Sequence, residues 1–517
     1  MTDQPNILFL MADQFAGPLL GSPSLKTPNI DKLVESGVTF ESAYSNSPLC
    51  SPARFSMMAG RLPSQIGSYD NACEFTSSTP TFAHYMRNLG YRTICAGKMH
   101  FVGRDQLHGF EDRLTTDIYP SDFNWVPDWE HPEVRPEWYH NMLSVVQAGK
   151  CVTSNQVDFD EEVTFFSRRQ LLDLGKPSKD KRPFFMMVSL THPHDPYAIP
   201  AEYWDRYDHD QIDLPKVPTI EPSKDDPHSQ RLRKVMALDE YDLTDERVKN
   251  ARHAYYGSIS YVDDNVGKLV KALEDAGLKD NTIIVFTSDH GDMLGERGLW
   301  YKMNYFEMAA RIPMIVSAPH LFKPRKVGTH VSLVDLLPTF VSMACKGSNE
   351  ALVTPVCGRS LYPILIGDDA SVKNETFGEY MGEGAIAPIF FVRRDNFKFI
   401  SCRVDSPQLY DLVKDPQELD NLANKPGYEE ITKSFQIEVD TRWDSDKIFA
   451  DVVLDQKRRR FIMNALKKGT KEHWDYQPIR DASRLYVRGH MDLDDIEKNA
   501  RLPQVEIPKP DGPTKLK

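Results

Sequence analysis

Apolar residues occur in four short runs that predict strands buried inside a sheet. Within each run, consecutive positions are mostly apolar, which is typical of strands covered by helices on both faces. Three of the runs end abruptly in polar residues, where the chain would leave the sheet. The runs cover residues 6–12, 184–190, 281–287 and 312–316.

Helical patterns separate these runs. Thr27 and Pro28 are typical of a helix start and Gly37 of a helix end, which predicts a helix over residues 27–37. A longer apolar stripe with helical spacing covers residues 247–276. Strands that alternate with helices predict an α/β fold, in which ligands collect at the carboxyl ends of the strands.

The chain changes character after residue 374. Short apolar runs broken by glycine and proline between residues 375 and 422 predict a small antiparallel sheet, and the charged stretch beyond residue 440 predicts helix. A basic cluster at residues 457–460 is expected to lie on a solvated helix face. The sequence therefore predicts a large α/β domain over residues 1–374, a smaller α+β domain over residues 375–485, and an extended tail over residues 486–517 that could serve oligomerisation.

Composition excludes several classes of protein. The 517 residues include 75 acidic and 62 basic ones, a net charge of −13, and 40% of them are hydrophobic. An acidic chain argues against a nucleic-acid binder, and this hydrophobic content is wrong for a disordered chain. No apolar stretch approaches the roughly 18 residues of a membrane span. Because the start lacks a basic region and a cleavage site, and the seven cysteines are scattered, we expect a cytoplasmic protein.

Cys50 begins the motif with the clearest chemistry. Pro52 and Arg54 follow it, and Gly60-Arg61 lies just downstream. A cation beside a thiol would lower the pKa of that thiol, although an isolated cysteine is more often a small buried residue. The Cys-x-Pro-x-Arg pattern resembles the signature of type I sulfatases of the alkaline phosphatase superfamily. The resemblance implies oxidation of Cys50 to formylglycine (3-oxoalanine) by a formylglycine-generating, sulfatase-maturating enzyme, and an alkaline-phosphatase-like α/β/α sandwich with a large, mostly parallel mixed sheet.

The ends of the predicted strands would supply a metal site. Hard cations prefer several oxygen ligands, and the resemblance implies that Asp13, Gln14, Asp289, His290 and the modified Cys50 hold one divalent ion. Type I sulfatases usually have Asp-Asp and Asp-Asn where this chain has Asp13-Gln14 and Asp289-His290. A histidine ligand moves the preference from Ca²⁺ toward Mn²⁺, so both ions are candidates.

The resemblance also implies catalytic roles for further polar side chains. Lys98 would bind a sulfate oxygen, and His100 would be the base that takes a proton while sulfate is released. His194 and Lys302 would protonate or steady the leaving group, and Arg54 would orient the nucleophile. Taken singly, such residues are more often solvated lysines or hydrogen-bonded core histidines.

The end of the chain narrows the resemblance to one branch of the family. Trp474-Asp-Tyr-Gln-Pro478 and Arg480-Asp-Ala-Ser483 are similar to the C-terminal sequences of choline sulfatases, and the similarity covers essentially the whole chain. The substrate would be choline-O-sulfate, and the released choline would feed glycine-betaine synthesis or nutrition. A quaternary ammonium cannot donate hydrogen bonds and is recognised by aromatic faces and carboxylates. Candidates for this pocket are Trp125, His140, Asn141 and Glu379, with Trp129 and Tyr139 as further aromatic residues and Asp492 contributed by a neighbouring subunit of a dimer or tetramer. Asn71 would donate a hydrogen bond to the substrate beside Arg54.

Two other functions stay open. Phosphonate monoester and phosphodiester hydrolases of the same superfamily resemble this chain in combining a formylglycine with Asp-Gln and Asp-His, and an open aryl or alkyl cleft would favour them. A non-catalytic choline- or metal-binding protein with unmodified Cys50 is the alternative from another class. The presence of Lys98, His100, His194 and Lys302 together argues against it.

Overall fold

An eight-stranded sheet lies at the centre of the structure, a computed structural model that describes residues 4–348, 351–481, 486–488 and 492–504. The strands of the described residues are β1 (Asn6–Asp13), β2 (Gly37–Phe40), β3 (Ala43–Tyr44), β4 (Arg92–Gly97), β5 (Asp112–Arg113), β6 (Gly149–Cys151), β7 (Phe184–Pro193), β8 (Ala198–Pro200), β9 (Thr282–Ser288), β10 (Arg311–Ile312), β11 (Met314–Ser317), β12 (Arg325–Val327), β13 (Val331–Ser332), β14 (Glu375–Tyr380), β15 (Ile389–Arg394), β16 (Phe397–Cys402) and β17 (Asp405–Asp411). The helices are α1 (Pro28–Ser36), α2 (Cys50–Ala59), α3 (Pro63–Ile66), α4 (Phe82–Asn88), α5 (Leu143–Val146), α6 (Asn155–Leu174), α7 (Ala201–Trp204), α8 (Pro227–Val235), α9 (Asp245–Asp275), α10 (Glu307–Ala310), α11 (Leu336–Ala344), α12 (Tyr362–Leu365), α13 (Glu429–Arg442), α14 (Ser445–Leu466) and α15 (Leu493–Ala500).

The large sheet is mixed and mostly parallel, as the resemblance implied. Its strands follow the order β12-β2-β11-β9-β1-β7-β4-β5. Strand β11 runs antiparallel to both of its neighbours, whereas the other neighbouring strands are parallel. The strand predicted over residues 312–316 is divided, because β10 pairs with β3 in a separate small sheet. Pro313 separates β10 from β11, since proline has no N–H to donate to a strand ladder.

Helices cover both faces of this sheet. Along β1, Leu8 and Leu10 pack into one apolar cluster, whereas Ile7, Phe9 and Met11 pack into another. Alternate side chains of a strand point to opposite faces, so the two clusters are the two faces of the sheet. Helices α1, α6 and α9 contribute to the first cluster and α2, α4 and α11 to the second. The expected α/β/α sandwich is confirmed.

The predicted small antiparallel sheet is present in the C-terminal part of the chain. Its strands follow the order β14-β15-β16-β17. Phe391 and Leu409 of this sheet belong to the same apolar cluster as α9, so the small sheet packs directly against the first part of the chain. Although the small sheet begins at Glu375, the division of the chain into units at residue 374 stays a prediction.

The end of the chain differs from the predicted extended tail where it is described. Asp492 caps α15 by accepting a hydrogen bond from the amide of Asp494 (3.0 Å), a favoured use of aspartate at a helix start. Residues 482–485, 489–491 and 505–517 of the predicted C-terminal regions lie outside the described residues. Among the described residues, no helix combines the length and the apolar character that crossing a membrane requires.

Four neighbouring strands bring polar residues to one edge of the large sheet. Strands β9, β1, β7 and β4 are consecutive and parallel, so their carboxyl ends lie side by side. Immediately after these ends come Asp289, His194 and Lys98, and β1 itself ends in Asp13. Gly97 permits the turn into Lys98: its φ is +91°, and a Cβ there would lie 1.9 Å from the carbonyl oxygen of Ser189.

A buried lysine joins the small sheet to the rest of the protein. Nζ of Lys398 on β16 lies 2.7 Å from a carboxylate oxygen of Glu307 and 2.7 Å from one of Glu418. It also donates a hydrogen bond to the carbonyl oxygen of Tyr305 (2.8 Å). The lysine is fully buried, so its charge is balanced only by these partners.

We expect Lys398→Ala to lower the melting temperature strongly, because it would leave the buried carboxylate of Glu418 without its counter-charge and leave Glu307 with Arg311 alone. Removing one partner of a buried ion pair typically costs about 3–5 kcal/mol. Lys414→Ala is the matched control, since the Lys414 side chain is 72% exposed beside Asp411 and should change the melting temperature little. Thermal unfolding checks both variants, and equal effects would contradict the importance of the buried group.

Candidate active site

Cys50 begins α2 and directs its thiol toward the polar edge of the sheet. Sγ lies 3.3 Å from Nε2 of His290 and 3.4 Å from Nζ of Lys98, and the residue is 2% exposed. The amide of Ser51, in the same first turn, donates to Oδ1 of Asn71 (3.0 Å). A helix N-terminus favours negative charge, so the local fold stabilises an anionic atom at position 50.

Arg54 connects this helix to the ends of two strands. One turn after Cys50, its guanidinium donates to Oδ2 of Asp13 (2.8 Å) and to Oδ2 of Asp289 (2.9 Å). Burial by itself would lower the pKa of Arg54, but Asp289 and Asp13 outweigh burial and raise it. The arginine therefore stays charged between two buried carboxylates, and these contacts support its predicted orienting role.

Four side chains at this edge could hold a metal ion. Ligand atoms of Asp13, Cys50, Asp289 and His290 all lie within 4.8 Å of one another, and all four residues are buried. Nδ1 of His290 lies 3.0 Å from the carbonyl oxygen of Gly291. Because a carbonyl can only accept, we assign the proton to Nδ1, which leaves the lone pair of Nε2 facing Cys50. Two carboxylates and a neutral imidazole form a donor set that suits a divalent cation.

Gln14 is held beside this group by hydrogen bonds to other residues. Its carboxamide oxygen accepts from Nζ of Lys302 (2.7 Å), and its NH₂ group donates to Asp292 (2.7 Å). The backbone amide of Gln14 donates to Oδ1 of Asp289 (3.1 Å). The side chain thus links Lys302 to the strand ends, and its role as a metal ligand stays a prediction.

Two buried lysines place positive charge around Cys50. Nζ of Lys98 lies 2.5 Å from Oδ2 of Asp13 and 4.3 Å from the centre of the Tyr119 ring. Burial and then the Asp13 carboxylate raise the pKa of the Cys50 thiol, whereas Lys302, Lys98 and a hydrogen bond from His194 lower it, and the pKa is lowered overall. The same two charges would stabilise the oxygens of a bound oxyanion.

His194 forms a hydrogen-bonded pair with Lys302. Its Nδ1 lies 2.7 Å from the carbonyl oxygen of Asp195, and its Nε2 lies 2.8 Å from Nζ of Lys302. Because the carbonyl can only accept, we assign the imidazole proton to Nδ1. Nε2 then accepts from the ammonium, so the pair contains a proton donor that can serve a departing group.

His100 lies just after β4 beside Tyr119, with 5.1 Å between ring centres, and its imidazole has no hydrogen-bond partner among the described residues. Its backbone has a positive φ of 57°, and its amide donates to Oδ2 of Asp117 (2.9 Å), which holds this turn. Burial, together with the charges of Lys98 and Arg54, lowers the pKa of His100 well below its ordinary value. The ring is therefore neutral and able to accept a proton.

Aromatic rings border the partly exposed side of the site; we call Tyr119, Trp125 and Trp138 the aromatic wall. Trp125 packs edge to face against His100, with 5.8 Å between ring centres, and against Tyr119 at 5.4 Å. It stacks with Trp138 at 6.3 Å. All three members of the wall are only partly buried, and Tyr119 lies directly against the buried Lys98. Their faces suit a cation that has no N–H group.

His140 lies at the rim of the site with a carboxylate behind it. Its Nε2 is 3.5 Å from Nζ of Lys302, and its Nδ1 is 3.2 Å from Oε2 of Glu383. Asn141 accepts a backbone amide of its own loop through Oδ1 (2.8 Å), and its carbonyl oxygen accepts from the hydroxyl of Tyr301 (2.6 Å). The structure thus brings His140 to the site and gives Asn141 a part in shaping the loop.

Glu379 is not the carboxylate that contacts His140, which is Glu383, and the predicted role of Glu379 in the choline pocket stays a prediction. The carboxylate of Glu379 accepts hydrogen bonds from N and Oγ of Ser64 (2.7 and 2.8 Å) and from Nε1 of Trp443 (2.6 Å). Glu379 is fully buried, so these donors satisfy both of its oxygens. The two glutamates lie four residues apart, and Glu383 follows the end of β14, where strand alternation no longer tells which side chain faces the site.

Two further candidates lie elsewhere in the structure. Trp129 packs on Phe449 of α14 with ring centres 5.7 Å apart, in the apolar core rather than in the aromatic wall. Asp492 is an exposed helix cap within its own chain. Its contribution to the site of a neighbouring subunit stays a prediction.

Tyr119, Trp138 and Glu383 belong to the site although no sequence pattern pointed to them individually. Tyr119 and Trp138 lie in irregular segments between β5 and α5, where periodicity carries no information about which side chain faces inward. The one available signal was the accumulation of aromatic residues in an otherwise polar stretch, namely Tyr119, Phe123, Trp125, Trp129, Trp138 and Tyr139.

Comparison with family models and known proteins shows which protein family the chain resembles. A model described as Sulfatase matches residues 5–346, one for the C terminus of N-sulphoglucosamine sulphohydrolase matches residues 295–444, and one for the C terminus of choline sulfatase enzymes matches residues 450–502. A protein named choline-sulfatase from Rhizobium meliloti (strain 1021) is 43% identical over 515 residues, 98% of this chain and 100% of the relative. An arylsulfatase from Clostridium perfringens (strain 13 / Type A) is 28% identical over 452 residues, 83% of this chain and 92% of that relative.

Solved structures share the fold. The phosphonate monoester hydrolase SpPMH from Silicibacter pomeroyi gives a TM-score of 0.69 at 22% identity, covering 85% of this chain and 95% of that chain. The phosphonate monoester hydrolase of Agrobacterium radiobacter gives 0.67 at 23% identity, with the same coverage of 85% and 95%. Identity this low establishes fold alone. Since the Sulfatase model includes every strand end that builds the site, and a full-length relative is 43% identical, the chain belongs to the sulfatase family, the enzymes that hydrolyse sulfuric esters.

Proposed function

We propose that this sulfatase hydrolyses choline-O-sulfate to choline and sulfate. The observation that carries the proposal is that one site combines groups suited to an anion with groups suited to a cation. The buried ammonium groups of Lys98 and Lys302 face Cys50, and the aromatic wall lies directly beside them. Glu383 adds a carboxylate at the same rim through His140. Similarity to the Rhizobium choline-sulfatase over nearly the whole chain supports the same substrate.

The reacting group in this proposal is residue 50 after its thiol has been oxidised to formylglycine by a maturating enzyme. The hydrated aldehyde carries two hydroxyl groups on one carbon, and the Cys50 sulfur of the structure stands in for them. One hydroxyl oxygen would attack sulfur as the choline oxygen leaves. Loss of the proton from the other hydroxyl would then allow the carbon–oxygen bond to sulfate to break and the aldehyde to be restored.

A single divalent ion, Ca²⁺ or Mn²⁺, would be held by Asp13, Gln14, Asp289, His290 and residue 50. Such an ion lowers the pKa of a bound hydroxyl group and stabilises negative charge. The close approach of four of these ligand groups in the structure supports the site, and the mixed oxygen and nitrogen donors keep both ions as candidates.

The remaining residues bind the sulfate group and move protons. Lys98 and Lys302 neutralise charge on the sulfate oxygens as the sulfur is attacked. The His194–Lys302 pair supplies the proton that the departing choline oxygen needs. His100, neutral and free of hydrogen-bond partners among the described residues, accepts the proton of the second hydroxyl. Asn71 keeps the first turn of α2 in place through Ser51.

The cellular setting belongs to the same proposal. All seven cysteines lie within the described residues and are free thiols, which supports a reducing compartment such as the cytoplasm. There the released choline would supply glycine-betaine synthesis or growth. A homodimer or homotetramer in which Asp492 of one subunit closes the pocket of the next completes the proposal.

We expect choline-O-sulfate to be preferred over an aryl sulfate and over a phosphonate monoester. A ratio of kcat/KM of about 100 corresponds to about 2.7 kcal/mol of transition-state discrimination, which the aromatic wall and Glu383 would supply together. Steady-state kinetics with the three substrates measures the ratio. Preference for the phosphonate would keep the catalytic centre and overturn the substrate.

Glu383→Gln should lower kcat/KM for choline-O-sulfate about 10-fold or more, because it removes the negative charge behind His140 that would attract the cationic head group. The aryl sulfate carries no such cation and should be affected far less. Glu379→Gln is the matched control: the carboxylate of Glu379 is occupied by Ser64 and Trp443, and choline selectivity should persist. The reverse ranking of the two variants would restore Glu379 as the choline carboxylate.

Removal of the metal with a chelator should abolish turnover of every sulfate ester, and Ca²⁺ or Mn²⁺ should restore it, because the ion would lower the pKa of the attacking hydroxyl group at residue 50 and stabilise negative charge there. Mass spectrometry of the peptide with residue 50 should show the exchange of the thiol for an aldehyde. Full activity with unmodified Cys50 would overturn the proposed nucleophile, and full activity after chelation would overturn the metal.

A further inference from the structure

A buried arginine on α14, Arg459, binds the turn that contains Asp70 and Asn71. Arg459 is 3% exposed, although it belongs to the basic cluster expected on a solvated helix face. Its Nη1 and Nη2 each lie 2.8 Å from a different oxygen of Asp70, and its Nε lies 2.7 Å from Oδ2 of Asp455. The guanidinium thus forms a bidentate pair of hydrogen bonds with the Asp70 carboxylate, a geometry that lysine cannot reproduce.

Asp70 is part of the turn that carries Asn71. Its Oδ1 accepts the amide of Ala72 (2.9 Å), and its carbonyl oxygen accepts the amide of Cys73 (3.2 Å). The next residue, Asn71, accepts the amide of Ser51 in the first turn of α2 (3.0 Å). A continuous path of hydrogen bonds and backbone therefore connects Arg459 to the turn of helix that begins with the reacting residue.

The same helix contacts the segment that bears the aromatic wall. Met463 packs in a small apolar cluster with Ala72, Val102 and Phe123, against which Trp125 and Trp474 lie. Gln456 accepts the backbone amide of Trp129 through Oε1 (2.9 Å). One face of α14 thus touches both the turn beside Asn71 and the loop around Trp125.

We propose that Arg459 is a positioning residue of the active site: by holding Asp70 it fixes the turn that presents Asn71 and aligns the first turn of α2. The inference deepens the proposed function, on which it rests for the identity of the reacting residue. It assigns the C-terminal segment matched by the choline sulfatase model a part in catalysis within its own subunit. Because Arg459 touches Asp70 and Asp455 rather than the reacting atoms, it acts through Asn71.

The test compares Arg459→Met with the wild-type enzyme, each matured and loaded with metal. Turnover is expressed per formylglycine at residue 50, so that incomplete modification does not count as a catalytic defect. We expect kcat to fall about 10-fold or more for both choline-O-sulfate and an aryl sulfate, because displacement of a positioned group by a fraction of an ångström is costly. Arg459→Lys keeps the positive charge but cannot form the bidentate contact with Asp70. Its kcat should therefore lie between those of the wild-type enzyme and Arg459→Met.

Arg233→Met on α8 is the control for a purely structural role. Arg233 is similarly buried, at 6% exposure, and its partners are Asp225 and the carbonyl oxygens of Ile220 and Arg297. This variant should lower the melting temperature and keep the wild-type kcat. Wild-type kcat and KM in Arg459→Met, with only a lower melting temperature, would overturn the positioning role.

A double variant keeps the proposal testable if Arg459→Met does not fold. Asp70→Asn combined with Arg459→Met removes both charges of the pair, and neutral replacement of a whole buried pair is often tolerated. We expect the double variant to fold and to retain the kcat defect. Recovery of wild-type kcat in the double variant would overturn the proposal.

The two substrates separate this inference from the proposed function. If the wild-type enzyme turned over the aryl sulfate but not choline-O-sulfate, the proposed substrate would be wrong, and the Arg459 comparison would still be made on the aryl ester. Normal preference for choline-O-sulfate together with unchanged kcat in Arg459→Met would reject the inference alone.

Discussion

The site depends on one ionic arrangement, in which Arg54 lies between Asp13 and Asp289 at the ends of two neighbouring parallel strands. Parallel β1 and β9 place the two carboxylates on the same buried edge, where their mutual repulsion would be severe without a counter-charge. Arg54 supplies that charge at 2.8 and 2.9 Å. Because Arg54 lies one turn after Cys50 on α2, the same contacts also fix the reacting residue over the strand ends.

The positive groups around this edge divide into two functions. Arg54 donates to two carboxylates, to the carbonyl oxygen of Lys98 and to the hydroxyl of Ser189, and it stabilises the fold of the site. Lys98 and Lys302 each keep one side toward Cys50, at which they lower the pKa of the thiol. The difference follows from geometry: the planar guanidinium bridges two acids, whereas the point-like ammonium of Lys98 pairs with Asp13 alone. The ammonium of Lys302 contacts the neutral groups of Gln14 and His194, so both lysines can still attract an incoming oxyanion.

How far the sequence predicted this structure varies with the element. Buried parallel strands have continuous apolar runs, so β1, β7 and β9 were identifiable, and the edge carrying Asp13, His194 and Asp289 followed from the rule that parallel strands end together. The aromatic wall did not follow, because Tyr119 and Trp138 lie in irregular segments whose facing is set by tertiary contacts. Glu383 was not singled out because it lies in the irregular segment after β14, and only the Ser64 and Trp443 hydrogen bonds show that the carboxylate of Glu379 is occupied elsewhere.

The two halves of the site therefore have different structural origins. The half that would bind sulfate is built on strand ends and on α2, within the fold that this chain shares with phosphonate monoester hydrolases at only 22–23% identity. The half that would bind choline consists of loop residues around Trp125, which are supported by α14 and its neighbours rather than by the sheet. Loops can change without disturbing the sheet, so leaving-group specificity can vary in this fold while the anion-binding centre stays the same. In this chain helix α14 contacts both halves, through Arg459 to Asp70 and through Gln456 to Trp129. A change in α14 would therefore affect both substrate specificity and catalysis.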